Sequence, residues 1–269
     1  MFLTAKSTYK KNRITSLRAY PLSFIIQRII GTIFSLLFPI FTFYFVFNGQ
    51  TNSMFDLKTN TTDYVLYITL GFSAYAVSVA TLMNVGRSII SEIREGTLDT
   101  FLLSPASRIG YFLGCFLEQI GRTFIEFISI FIFGMLLGAR ITPLDILKLI
   151  ICLIIVSTVS FSMSILLASI MIFTRDTFIT QNTLFMLLAM ITGVSFPINF
   201  LPNWLNFFSN IIPLTHALTF SRAFIMESFV SIDSFRLLFI ILFESTCYFV
   251  IGYRWFISLE KKLIEDVYS

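Results

Sequence analysis

Apolar runs separated by short polar breaks dominate this chain, at about 24–47, 64–85, 109–137, 146–173, 179–198 and 237–257. Each reaches or approaches the roughly 18 to 20 residues that a helix needs to cross about 30 Å of hydrocarbon. The runs are continuous rather than alternating, which favours helical spans and disfavours a transmembrane barrel. Six spans place both termini on one side. No sequence period of solenoid length recurs, so the 269 residues read as a single transmembrane domain.

Three stretches depart from this rhythm. Residues 1–23 carry Lys6, Lys10, Lys11, Arg13 and Arg18 without an acid, and up to Pro21 they read as an interfacial helix along the inner leaflet or as a plain cytoplasmic tail. Residues 86–108 form a charged interruption between the second and third spans. After Gly193, Pro197, Pro202 and Pro213 divide the chain into apolar pieces too short to span, Trp204 to Ile212 and Leu214 to Phe229. Each proline removes an amide donor and breaks the helical ladder. Short reentrant helices over 199–230, folded back at the outer interface with Trp204 as an anchor, are expected, with a structured loop as the alternative.

Composition strengthens the membrane assignment. A 56% hydrophobic and 17% aromatic content, with mean hydropathy +0.85, is too apolar for a soluble domain. The first apolar run is longer than a signal-peptide core and lacks a small-residue cleavage pattern, so an uncleaved cytoplasmic N-terminus is expected. Cys115, Cys152 and Cys247 lie inside apolar runs with no CxxC spacing and read as packing residues. With that N-terminus inside, Lys6, Lys10, Lys11, Arg13, Arg18, Arg87, Arg94, Arg108, Arg175, Arg254, Lys261 and Lys262 fall inside. Lys58, Arg140, Lys148, Arg222 and Arg236 fall outside, and twelve against five agrees with the positive-inside rule. The small, sided net charge of +4 points to membrane orientation and not to nucleic acid. The polar stretch from Asn48 to Asp63, with Asn52, Asn60, Thr61 and Thr62, reads as an external loop.

Taken as a helix from Arg87 onward, the charged interruption places Glu92, Glu95 and Asp99 at i, i+3 and i+7, an acidic stripe, with Ile89, Ile90, Ile93 and Phe101 on another face. Pro105 ends it by disfavouring helix at Ser104. Anionic lipid would repel that stripe, which makes a protein partner the better match than a membrane-surface brace.

These residues resemble a known family. Glu92, Glu95, Gly96, Thr97, Leu98, Leu102, Leu103, Ser104 and Pro105 resemble the E-x-x-x-G-T-L-x-x-L-L-x-[ST]-P pattern between the second and third spans of ABC-2 type exporter permeases. About a hundred residues later, Gly193, Phe196, Pro197, Leu201, Pro202, Trp204, Pro213, Leu214, Thr215, His216 and Arg222 resemble the G-x-x-F-P-x-x-x-L-P-x-W and P-L-T-[HY]-x-x-x-x-x-R signature before that family's last span. The resemblance implies an inner-membrane permease of six spans with both termini cytoplasmic, paired with a second permease copy, identical or related; richness in Phe, Ile, Lys and Asn is compatible with an AT-rich bacterial genome. It further implies that Glu92, Glu95, Gly96, Thr97, Leu98, Asp99, Leu102 and Pro105 belong to a coupling helix seated in a separate ATPase subunit. No Gly-Lys pair occurs in the sequence, so the phosphate-cradling loop is missing from these residues. ATP and magnesium are accordingly expected on the partner, with no cofactor or metal on this chain.

Glu118, Arg122 and Glu126 at i, i+4 and i+8 share one face of the third span and are expected to pair with one another, because an unpaired charge there costs about 2.5–3.5 kcal/mol. Arg28 and Glu244 are further possible partners. The ladder reads as a brace or as a gating network. Ser157, Ser160, Ser164 and Ala168 in the fourth span, and the pairs Gly110/Gly114 and Gly134/Gly138 in the third, mark close helix packing; a polar substrate lining is the alternative for the serines.

Other classes fit less well. The single histidine, His216, cannot complete an H-E-x-x-H zinc site and no Gly-x-Ser-Gly motif occurs, which weighs against an intramembrane enzyme. An ion-coupled secondary transporter would use the Glu118, Arg122, Glu126 face. Within the exporter assignment, short external loops favour a hydrophobic or amphipathic cargo such as a drug, peptide or lipid, with polysaccharide or glycolipid export as the alternative.

Overall fold

The computed structural model describes residues 1–19, 22–50, 55, 59, 63–174, 178–226 and 232–268. Expectations attached to Pro21, Asn52, Lys58, Asn60, Thr61, Thr62, Arg175 and 227–230 lie outside them. Every regular element among the described residues is helical: α1 (Phe2–Ala19), α2 (Leu22–Phe41), α3 (Tyr64–Gly86), α4 (Ser88–Arg94), α5 (Leu98–Leu103) and α6 (Arg108–Leu136), then α7 (Pro143–Thr174), α8 (Phe178–Ile191), α9 (Asn203–Ser209), α10 (Pro213–Met226) and α11 (Ile232–Tyr268). A π turn at Thr42–Val46 continues α2 beyond Pro39, where the proline breaks the regular ladder, and a 3₁₀ turn at Ile198–Phe200 precedes α9. The chain is an all-α membrane protein.

Five helical stretches are long and apolar enough to span: Ile26–Val46, Tyr64–Gly86, Arg108–Leu136, Asp145–Thr174 and Ser234–Leu263. The span expected at 179–198 is shorter than anticipated. Helix α8 has 14 residues, about 21 Å at 1.5 Å per residue, and gives way at Gly193, whose φ of 76° lies in the left-handed region.

Local chemistry sets the boundaries. The Asp63 carboxylate accepts the Leu66 amide (2.9 Å) and caps α3, and the Ser107 hydroxyl accepts the Gly110 amide (3.2 Å) to cap α6. Ser104, just before Pro105, is extended as the proline demands. Helix α3 forms the centre: 83% of its spanning window is enclosed, against 17% for the first and last spans, whose apolar faces therefore remain for lipid or another subunit.

Close packing follows the small residues. Ser157, Ser160, Ser164 and Ala168 are all buried, and Ser160 Oγ lies 2.9 Å from Ser78 Oγ of α3. A Cβ on Gly110 would come within 2.6 Å of the Met1 carbonyl, and one on Gly114 within 2.7 Å of that of Ala5, so α1 lies directly on α6. The N-terminal stretch is therefore helical, and one of its faces, with Ala5 and Thr8 buried, is committed to protein. Gly134 meets Thr69 in the same way, whereas Gly138 departs from the packing expectation: its φ of 108° serves the turn that ends α6.

Candidate functional site

The charged interruption folds as two short helices and not as one. Helix α4 stops at Arg94, and Gly96, at φ 68°, reverses the chain. The Gly96 amide donates to the Ile93 carbonyl (3.2 Å) and the Thr97 amide to the Glu92 carbonyl (3.0 Å), the paired bonds of a Schellman turn. This gives the Glu-x-x-x-Gly-Thr spacing a backbone reason.

The break dissolves the expected acidic stripe. Glu92 turns inward, where Lys11 Nζ of α1 reaches its Oε1 at 2.6 Å, the Tyr111 hydroxyl of α6 lies 3.0 Å from the same oxygen, and the Thr97 hydroxyl donates to its other oxygen. Burial opposes charge on this carboxylate, but the Lys11 and Thr97 hydrogen bonds and the Lys11 charge outweigh it and hold its pKa below the ordinary value. Glu95 points to the exterior, and the Asp99 side chain lies outside the described residues.

The intended apolar face is divided as well. Ile89 and Ile90 are buried and Phe101 lies 4.6 Å from the Tyr111 ring, while Ile93 is 40% exposed. Leu98 packs against the core and Leu102 is half-buried. Ile93, Arg94, Glu95, Gly96, Leu103 and Pro105 form the outward lip.

Arg108 fixes the far end of this lip. Its guanidinium donates to the carbonyls of Phe101 (2.9 Å) and Leu102 (2.9 Å), satisfying orphan acceptors at the end of α5. It also pairs with Glu260 of α11 at 2.6 Å and lies 4.5 Å from the Phe101 ring centre. Three elements distant in sequence thus hold one surface: Lys11 from α1, Tyr111 and Arg108 from α6, and Glu260 from α11. Sequence reasoning missed Lys11, Tyr111 and Glu260 as partners, because separations of 81, 19 and 152 residues leave no local periodic signal.

The intramembrane ladder splits into two pairs. Arg122 binds Glu118, as its i, i+4 spacing anticipates, and Ser16 of α1 donates to the same carboxylate (3.1 Å). Glu126 instead takes Arg28 of α2 at 2.9 Å. An arginine from another helix can meet that buried carboxylate head-on, so the acid–base–acid row is replaced by one pair within α6 and one between α2 and α6.

The proline-rich region folds into short helices, as expected. Pro197 and Pro202 flank the 3₁₀ turn and α9, Pro213 opens α10, and Trp204 is exposed. Arg222 reaches back from α10, donating to the Gly193 and Val194 carbonyls (each 2.8 Å) and the Tyr67 hydroxyl (2.8 Å), with its guanidinium 3.6 Å from the Tyr67 ring centre. A Cβ on Gly71 would sit 2.2 Å from the Val194 carbonyl, so α3 admits this turn only with glycine there. His216 Nδ1 lies 3.0 Å from Glu244 Oε2 of α11, which ties α10 to the last span. No group of three or more potential metal ligands occurs among the described residues.

A family model described as ABC-2 type transporter matches residues 9–226, a stretch that contains the two-helix turn, the Arg28–Glu126 and Glu118–Arg122 pairs and the proline-rich fold-back. No curated protein matches the chain.

Proposed function

Since the chain belongs to the ABC-2 type transporter family and is a permease of that type, we propose that it is the membrane half of an ATP-driven exporter, powered by a separate ATPase subunit. The outward lip of α4 and α5 is the contact for that subunit in this proposal, with Ile93, Glu95, Leu103 and Pro105 facing the partner and ATP and magnesium held by it. Both termini are cytoplasmic, the membrane is the plasma membrane, and a second permease copy covers the exposed faces of the first and last spans.

The carrying observation is the bracing of an exposed two-helix turn by α1, α6 and α11 through Glu92 and Arg108. A docking element transmits force only if it is stiff and tied to the spans that must move. Nucleotide-dependent contact at the lip would then bias the bundle between two arrangements, since only a ligand that interacts differently with two states shifts their balance. A hydrophobic or amphipathic cargo fits a path between the two copies, along the apolar faces of the first and last spans.

The test is ATP-dependent efflux from inverted vesicles containing the permease and its cognate ATPase. Expected is transport that requires ATP, ignores a collapsed proton gradient, and drops at least about tenfold in Glu95→Lys or Gly96→Val with the permease still inserted. Transport that follows the proton gradient without ATP would refute the proposal.

A further inference from the structure

A cleft of about 390 Å³ with mixed apolar and charged walls opens between α2, α3 and α6, within the size range of small-molecule sites. Its walls carry Arg28, Arg87, Arg122, Glu126, Tyr75 and Asn84. A smaller pocket of about 120 Å³ beside α1 shares Asn84, Ser91 and Arg122 with it.

Depth identifies what the cleft faces. Arg28 stands at the third residue of the first spanning stretch, and Arg87 directly follows the last residue of the second. Arg122 lies midway along the third spanning stretch, but its partner Glu118 is reached by Ser16 of α1 and all three arginines line the one cleft, so the cleft opens in the half of the bundle that holds α1 and α4.

Charge identifies what it would hold. Arg28 is taken by Glu126 and Arg122 by Glu118, and the Glu126 side chain is only 5% exposed. Arg87, half-buried, makes no side-chain hydrogen bond or ion pair among the described residues. Two compensated arginines and one uncompensated arginine leave the wall with a surplus positive charge in a partly dehydrated setting. Guanidinium groups match phosphate oxygens two at a time, and basic pockets between spanning helices suit anionic head groups.

We propose that this cleft binds the phosphate head of an amphipathic molecule, with Arg87 as its principal ion partner and Arg28 and Arg122 as the flanking walls. The site rests on the orientation and the amphipathic cargo proposed above, and it names the charge of that cargo. Helix α2, one wall of the cleft, also exposes Phe34 and Phe38, so an acyl tail can lie along an apolar surface of the same helix while the head stays among the arginines.

The full-length permease in a mild detergent, without any ATPase, provides the test by native mass spectrometry. Offered dioleoyl phosphatidic acid, dioleoyl phosphatidylcholine and dioleoylglycerol, the protein is expected to retain the phosphatidic acid at least about tenfold over the uncharged glyceride. Phosphatidylcholine, whose choline repels arginine, falls between. Arg87→Gln lowers phosphatidic acid retention at least about fivefold, Arg87→Lys retains more of it than Arg87→Gln, and Arg236→Gln, at the start of the last span, leaves it unchanged. Millimolar inorganic phosphate separates the sources: retention that survives it is expected and assigns the site to a lipid head group, whereas full displacement assigns it to a soluble phosphate and overturns the proposal of an amphipathic ligand. Equal retention of all three lipids, or full retention by a folded Arg87→Gln protein, overturns it. Because no ATPase is present, a failure of coupling leaves this outcome intact, and a failure here leaves the coupling proposal standing.

Discussion

Glu92 illustrates how a residue chosen from sequence for one role takes another in the fold. Its position in a charged, amphipathic stretch suggested an outward acid, yet it is the inward anchor of the segment, held by Lys11, Thr97 and Tyr111. Its pKa in the folded protein lies below that of the unfolded chain, so its contribution to stability is complete above the ordinary carboxylate range near about 4 and is lost only as pH falls through the lower folded value. Amide exchange over Ser88–Arg94 should therefore stay protected through mildly acid pH and rise only at stronger acidity, whereas Glu92→Gln shows raised exchange throughout and no such step. Arg222 offers a second case. Arg222→Met leaves the Gly193 and Val194 carbonyls without their donor in a buried setting, a loss of about 2–4 kcal/mol that a thermal melt of the purified permease should register. The motif match located Arg222, but its partners lie 28, 29 and 155 residues away and only the folded chain shows why it is there.

The charged segment shows at the scale of elements where periodicity stops being informative. A helical wheel from Arg87 to Leu103 sorts the acids correctly by angle, but it assumes one axis, and Gly96 ends that axis. Glycine in the middle of a strongly patterned run was the available warning. Open space surrounds the position where a Cβ would sit, so Gly96→Ala tests backbone conformation alone: left-handed backbone costs alanine about 1–2 kcal/mol, and coupled ATP hydrolysis should fall while the melting temperature of the spans stays within a few degrees. The small-residue spacing was legible at Gly110, Gly114 and Gly134, since close helix approach depends on just those residues, but not at Gly138, which serves a turn. Gly114→Val drives a side chain into Ala5 and Thr8, and an overpacking cost of about 1–3 kcal/mol should loosen α1, seen as faster exchange across Phe2–Ala19. The intramembrane ladder was half legible. Glu118 and Arg122 are neighbours along one helix, whereas the Arg28–Glu126 pair depends on how α2 docks against α6.

Across the whole molecule, the hydropathy pattern announced an all-helical membrane protein and the two signatures announced its family. The pattern overstated α8, because apolar residues continue past Gly193 into a turn held by Arg222. One end of the bundle gathers α1, the α4–α5 turn, the start of α6 and the later part of α11 into a braced surface with an exposed lip. That this lip receives an ATPase is the central claim. Its most direct measurement is site-specific crosslinking of the assembled transporter from Glu95→Cys, with Cys247 replaced by alanine and the two buried cysteines left in place, against Trp204→Cys as the opposite-end control. The expected result is a crosslink to the ATPase from position 95 whose yield changes when ATP is bound, and none from position 204. An ATPase that crosslinks from position 204, or that assembles and turns over while position 95 never reaches it, would contradict the account.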